Sequence, residues 1–267
     1  MEPLVWLPLA FYLWAAGLLL VSFLRGGHPR SAGSTVLLAV GLGLHLAALV
    51  AYGAVYRAWP LAGLGPALYT LAALLAAGAL LAATWGHAGT VGLVLVPVVL
   101  GLTAAAIGAG VHPGGSVALA SGAGLVLHVA AAFVGYVGLT VAFAAELMYL
   151  LQWRQLRGKR FGSVFRFFPA LDTLDRIAGV ALWVGFFALS VALVLGWLAS
   201  LGPGAGASRA EVLWGGLTWA VFVAALAARR HRRGGGDRAA WVSVVGFGVV
   251  VLAYLVLRIT SERRGFL

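Results

Sequence analysis

Hydrophobic residues in this chain come in long blocks, and the polar and charged residues are confined to the short gaps between them. Eight blocks stand out, at about 4–24, 35–57, 66–85, 91–110, 119–153, 175–200, 211–228 and 239–258. Most approach the ~20 apolar residues that an α-helix needs to cross a bilayer core of roughly 30 Å. The gaps carry turn chemistry: Gly26-Gly27-His28-Pro29, His112-Pro113-Gly114-Gly115, Gly202-Pro203-Gly204 and Gly234-Gly235-Gly236. The pattern predicts an all-α polytopic membrane protein of about eight transmembrane helices, with residues 1–267 forming a single transmembrane domain. No repeat of fixed period is visible, which gives solenoids and inverted-repeat transporters no support.

Composition agrees. Hydrophobic residues make up 63% of the chain and charged ones only 9%, too apolar for a soluble domain of this size. The first block begins beside Glu2 without a basic leader or a small-residue cleavage site, so it is read as a permanent helix. A net charge of +11 raises the question of nucleic acid, but the cations sort by loop instead. Arg25 and Arg30, the group from Arg154 to Arg176, and the group from Arg229 to Arg238 fall on one side; Arg57, Arg209, Arg258, Arg263 and Arg264 fall on the other. The positive-inside rule then places the first set in the cytoplasm and both termini outside it. The expected location is a bacterial inner (plasma) membrane, with the lipid bilayer as partner and no nucleic acid.

The block from 119 to 153 is too long for a simple crossing and is expected to protrude into the cytoplasm. Phe161 to Phe168, after it, reads as an aromatic and basic stretch at the headgroup level.

Chemistry is scarce. There is no cysteine, which removes disulfides, thiolate metal sites, iron–sulfur clusters and covalent haem attachment through C-x-x-C-H. Neither a P-loop nor a G-x-S-x-G motif occurs, and seven acidic residues offer no carboxylate dyad, so no enzyme activity is expected. Two histidines do stand inside apolar blocks. Burying imidazole in hydrocarbon is costly without a partner, which makes His45 and His128 functional candidates. Counting rise from the block ends puts His45 ~18 Å and His128 ~14 Å below the outer surface, a similar depth. Two histidines on different helices are able to serve as axial ligands to one haem iron. Small residues share their stripes: Gly41, Ala48 and Tyr52 beside His45, and Gly124, Ala131, Ala132 and Gly135 beside His128. These leave room for a macrocycle, and equally for close helix packing with the histidines hydrogen-bonded between helices.

The remaining polar residues carry less. His28, His87 and His112 lie in turns, His112 being a further ligand or proton site on the outer side. His231 sits in the solvated charge run Arg229 to Arg233. Glu146 faces the same way as His128, near the cytoplasmic end, and reads best as a salt-bridged carboxylate. Trp197, Trp214 and Trp219 flank the last outer loop as an aromatic belt, or as stacking partners for a porphyrin.

Several segments in order then carry a likeness: Leu44-His45-Leu-Ala-Ala-Leu49, Leu127-His128-Val-Ala-Ala-Ala-Phe-Val-Gly-Tyr136, Phe168-Pro-Ala-Leu-Asp-Thr-Leu-Asp175, Gly185-Phe-Phe-Ala-Leu-Ser190 and Leu217-Thr-Trp-Ala-Val-Phe222. From about residue 40 to 258 the chain resembles the cytochrome c assembly membrane family, in particular its small HemX/YpjD-like branch. Larger relatives of the CcsA, CcmC and CcmF types hold haem on membrane histidines and present it on an external tryptophan-rich loop. The resemblance implies His45 and His128 as metal ligands to a non-covalent haem b. It implies a role in cytochrome c assembly, haem handling or regulation of haem biosynthesis. The partners implied are haem, other cytochrome c assembly proteins, or a cytoplasmic tetrapyrrole-pathway enzyme docking on the loops 154–176 and 229–238. The outer loop from Ala199 to Trp214 lacks the tryptophan-rich core, and the place of a further histidine in large relatives is Ala227 here. Two other readings stay open: a one-haem electron-transfer cytochrome b, and a haem-free permease.

Overall fold

In a computed structural model of the protein, the described residues are 2–25, 31–61, 63–85, 89–113, 123–159, 162, 166–200, 209–230 and 236–262. Eight α-helices form where the eight apolar blocks fall: α1 Glu2–Leu24, α2 Ser31–Tyr56, α3 Leu64–Trp85, α4 Gly92–Ala109, α5 Ala123–Arg157, α6 Leu171–Ser200, α7 Arg209–Arg230 and α8 Gly236–Glu262. A single 3-10 turn, Gly89–Val91, leads into α4, and there is no strand among the described residues. Seven of the helices, α1 to α7, are long and apolar enough to cross a membrane. Helices are the only open-ended structure able to do so, because each satisfies its own backbone where water cannot.

The 35 residues of α5 make it longer than the span of a bilayer core, as its unbroken sequence predicts. It ends at Arg157, and Lys159 in the turn that follows adopts a left-handed φ of 51°. Large apolar side chains face outward along the bundle, among them Leu13, Trp14, Val50 and Phe187, each more than 60% exposed. In water this would be untenable; against lipid tails it is the expected surface.

Helix α1 packs on α2 and α4, and α3 on α4 and α2; α5 packs chiefly on α6, and α7 bridges α6 and α8. Helix α3 also reaches α5, where Gly78 lies against Val137 and Val141, so it links the first four helices to the last four. The most extensive seam is α5 against α6. A Cβ on Gly138 would stand 2.7 Å from the Ala181 carbonyl oxygen, and one on Gly185 would stand 3.1 Å from the Gly135 carbonyl oxygen. Lipid supplies no hydrophobic drive between helices, so close backbone approach through small residues has to supply the attraction. Gly135, in the stripe of small residues beside His128, belongs to this seam: its position is filled by α6 side chain and backbone. At that point of the stripe, helix packing is the use made of the small residue.

Two expectations need correction. Phe167 and Phe168 are buried, with rings 5.4 and 6.3 Å from that of Phe23. They pack into the bundle at the end of α1, so these two rings face protein and are not the lipid-facing anchors expected. The residues 160, 161 and 163–165 of that stretch lie outside the described residues. Arg229, expected in a solvated run, is 13% exposed and bonded to Glu146 and to Asp175, the latter at 2.8 Å. A carboxylate on α5 and one on α6 face that point, and their attraction outweighs hydration of the guanidinium. Glu146 is thus the salt-bridged carboxylate its position suggested.

Candidate functional site

His45 projects from α2 into the space between α1 and α3 and is fully buried. The stripe Gly41, His45, Ala48 and Tyr52 faces the bundle throughout. Gly41 matters because a Cβ there would stand 2.7 Å from the Tyr12 ring; its absence lets that ring lie across α2 one turn below the histidine. The Tyr12 hydroxyl then reaches the Nδ1 of His45 at 3.1 Å. From α3 the Tyr69 ring covers the imidazole at 3.9 Å between centroids, and its own hydroxyl donates to the Val5 carbonyl at 3.1 Å. The Nε2 of His45 makes no hydrogen bond. Leaving a buried polar atom unmet costs roughly 1–3 kcal/mol, so a site that retains one calls for an explanation. Thr90 Oγ1, Gln152 Oε1 and Trp153 Nε1 are other buried atoms in this condition among the described residues.

His128 lies near the start of α5 and is half-buried. Its Nδ1 is 2.7 Å from the Ala192 carbonyl oxygen on α6. A carbonyl oxygen only accepts, so Nδ1 donates and, in the neutral ring, Nε2 keeps its lone pair. Gly196, one turn further along α6, provides the seat: a Cβ there would stand 2.8 Å from the His128 Cε1 and 3.0 Å from its Nδ1. Among the described residues His128 Nε2 makes no hydrogen bond either.

The two imidazoles therefore share one arrangement, Nδ1 held by a neighbouring helix and Nε2 without a hydrogen-bond partner among the described residues. The structure does not join them to each other. His45 is enclosed by α1 and α3, His128 by α6, and no ring contact or hydrogen bond links the two among the described residues. Along the helix axes, His45 lies ~17 Å from the end of α2 and His128 ~8 Å from the start of α5.

The other sequence candidates resolve as structure. His112 is exposed, its ring folded back over Gly110, whose φ is +83°. His28, His87 and His231 lie outside the described residues. Trp214 donates to the Val250 carbonyl at 3.3 Å and Trp219 to Ser190 Oγ at 3.0 Å, so both tie α7 to its neighbours. Trp197, 64% exposed, fits an aromatic belt. A cleft of about 500 Å³ opens between α6 and α7, lined by Trp183, Phe186, Leu226, Ala227, Arg229 and Arg230 among others; neither His45 nor His128 borders it.

Sequence reasoning missed Tyr12 and Tyr69. The available signal was the tyrosines inside apolar blocks, Tyr12, Tyr52 and Tyr69 among them, each needing a hydroxyl partner there.

Comparison with known proteins accords with a membrane bundle. The family model for cytochrome c assembly protein matches residues 5–263. The chain belongs to that family. A relative, the cytochrome c biogenesis protein CcsA of Guillardia theta, is 26% identical over 148 residues. That match covers 49% of each chain, so this protein spans about half the length of the curated relative. Membership in the cytochrome c assembly family supports a role in cytochrome c biogenesis for this multi-pass membrane protein.

The family implies haem, and each histidine taken alone fits one as a ligand. The structure does not bring the two together and sets them at different depths, where the sequence count gave similar ones. An axial imidazole binds iron through one nitrogen while the other is fixed by an outer partner, which sets the ring's orientation and strengthens it as a donor. Both histidines have such a partner on Nδ1, and the buried, unmet Nε2 of His45 is the atom an iron would satisfy.

Proposed function

We propose that this protein binds one haem b non-covalently, with His45 and His128 as the axial ligands, and holds or passes it in the service of cytochrome c assembly. What supports the reading is the state of the two rings: each is anchored through Nδ1 by a different helix, and the Nε2 of each lacks a hydrogen-bond partner among the described residues, that of His45 being buried. When bound, the iron supplies ligation and a redox couple. The chain's own residues orient the imidazoles, exclude water and keep the site apolar. His45 is fully covered, so a macrocycle reaches it only by parting α2 from α3, where Tyr69 lies. The reading assigns no catalytic residue. It places the protein in a bacterial inner membrane with the arginine-rich loops in the cytoplasm, where an assembly partner or a tetrapyrrole-pathway enzyme would dock. A HemX-like role in haem transport or in control of haem synthesis fits the same site. The test is the haem content of the protein purified in detergent, by pyridine haemochrome. About one b-type haem per chain, held without a covalent bond, is the expected result. A protein that is colourless as purified and after addition of haem would refute the proposal and favour the permease.

A further inference from the structure

The cleft between α6 and α7 stands apart from both histidines, neither of which borders it. Its walls are apolar and one end is cationic. Trp183 and Phe186 of α6 line it together with Val223 and Leu226 of α7, and Arg229 and Arg230 close the end. The aromatic wall is continuous: the Trp183 and Phe186 rings are 6.2 Å apart, and Phe186 lies 5.8 Å from Trp219. Val223 and Arg230 are two turns apart on α7, so the apolar wall runs ~10 Å inward from the arginines. The volume of about 500 Å³ falls within the roughly 300–1,000 Å³ of pockets that hold a ligand.

The two arginines are in different states. Arg229 is turned into the bundle, bonded to Glu146 and Asp175, with its guanidinium 3.0 Å from where a Cβ on Gly179 would stand. Its charge is already answered, and neither carboxylate lines the cleft. Arg230 is exposed and makes no ion pair among the described residues. Trp183 is 49% exposed and Val223 37%, so this face meets acyl chains in a bilayer. Arg230, the last residue of a helix of membrane-crossing length, meets the headgroups.

We infer that the cleft binds one anionic phospholipid, with an acyl chain laid along Trp183, Phe186 and Leu226 and the phosphate on Arg230. A guanidinium pairs with phosphate through two parallel hydrogen bonds, and basic pockets between membrane helices suit anionic headgroups. A zwitterionic lipid offers the same phosphate but adds an ammonium that Arg230 repels. The groove selects a chain, and the unanswered charge selects the headgroup.

The full chain in detergent, titrated with dioleoylphosphatidylglycerol or dioleoylphosphatidylcholine and read by native mass spectrometry, tests this. One phosphatidylglycerol per chain is expected to be retained in preference to phosphatidylcholine. Arg230→Gln is expected to weaken that lipid about fivefold, the worth of one arginine beside an anionic headgroup. Arg238→Gln removes an equal charge at an exposed position of α8 outside the cleft, and is expected to change nothing. Ala227→Trp fills the cleft at unchanged charge and is expected to expel the lipid while the circular dichroism of the helices is kept. Should either cleft variant fail to accumulate, the other decides. Equal retention of the two lipids by the wild type overturns the inference, as does an equal loss in Arg230→Gln and Arg238→Gln, which would make the attraction diffuse. Displacement of the lipid by glycerol 3-phosphate at the same concentration would assign Arg230 to a free phosphate and overturn the lipid.

Discussion

Replacing Arg229 by Met tests the ionic cluster that ties three helices together. Arg229 ends α7 and bonds to Glu146 on α5, and to both the side chain and the backbone oxygen of Asp175 on α6. The carboxylate of Glu146 is 1% exposed, so water cannot take over from the guanidinium when it is removed. Removing one member of a buried pair typically costs 3–5 kcal/mol, and Asp175, a quarter exposed, adds little beyond that. The expected loss is about 3 kcal/mol, read as a lowered midpoint of unfolding when mixed micelles are titrated with sodium dodecyl sulfate and followed by tryptophan fluorescence. Combining Arg229→Met with Glu146→Gln removes the stranded charge and is expected to recover most of that loss. Arg176 and Asp172 supply an internal control, being 77% and 84% exposed; Arg176→Ala is expected to change stability by less than about 1 kcal/mol. If Arg229→Met costs no more than Arg176→Ala, the cluster does not hold α5, α6 and α7 together and the reasoning fails.

Three further outcomes follow from the same geometry. Gly138→Ala puts a methyl group 2.7 Å from the Ala181 carbonyl oxygen, where backbone must give way, and is expected to cost about 1–3 kcal/mol in that titration. Gly101→Ala, with nothing within 4 Å, is expected to be neutral or slightly stabilising, so equal effects at the two sites would contradict the packing of α5 on α6. Gly196→Ala crowds the His128 ring at 2.8 Å; it is expected to weaken haem retention with little change in helicity, and unchanged haem content would remove the seat assigned to Gly196. Tyr69→Phe breaks the tether to Val5 and is expected to cost about 1 kcal/mol of stability, measured by the same unfolding midpoint.

How far the sequence reached depended on what kind of physics each feature obeys. The helices were legible because spanning a bilayer is a one-dimensional constraint, and α3 and α6 begin and end within a few residues of their apolar blocks. His45 and His128 were legible because a polar ring in hydrocarbon is conspicuous without any fold. Their partners were not, since Tyr12 meets His45 only once α1 has packed on α2 at Gly41, a contact 33 residues apart in sequence. Ala192 offers only a carbonyl, which no residue type announces. Arg229 was misread for the same reason: a run of arginines looks solvated until Glu146, 83 residues away, is brought against the first of them. The small residues near His128 fitted both a cofactor space and a helix seam, and at Gly135 and Gly138 packing decided for the seam.

The most direct measurement for the central claim is the electron paramagnetic resonance spectrum of the ferric protein in wild type, His45→Ala and His128→Ala. A low-spin signal in the wild type, absent from each variant, is the result expected if His45 and His128 are the two axial ligands. A low-spin signal that survives either substitution would contradict that assignment.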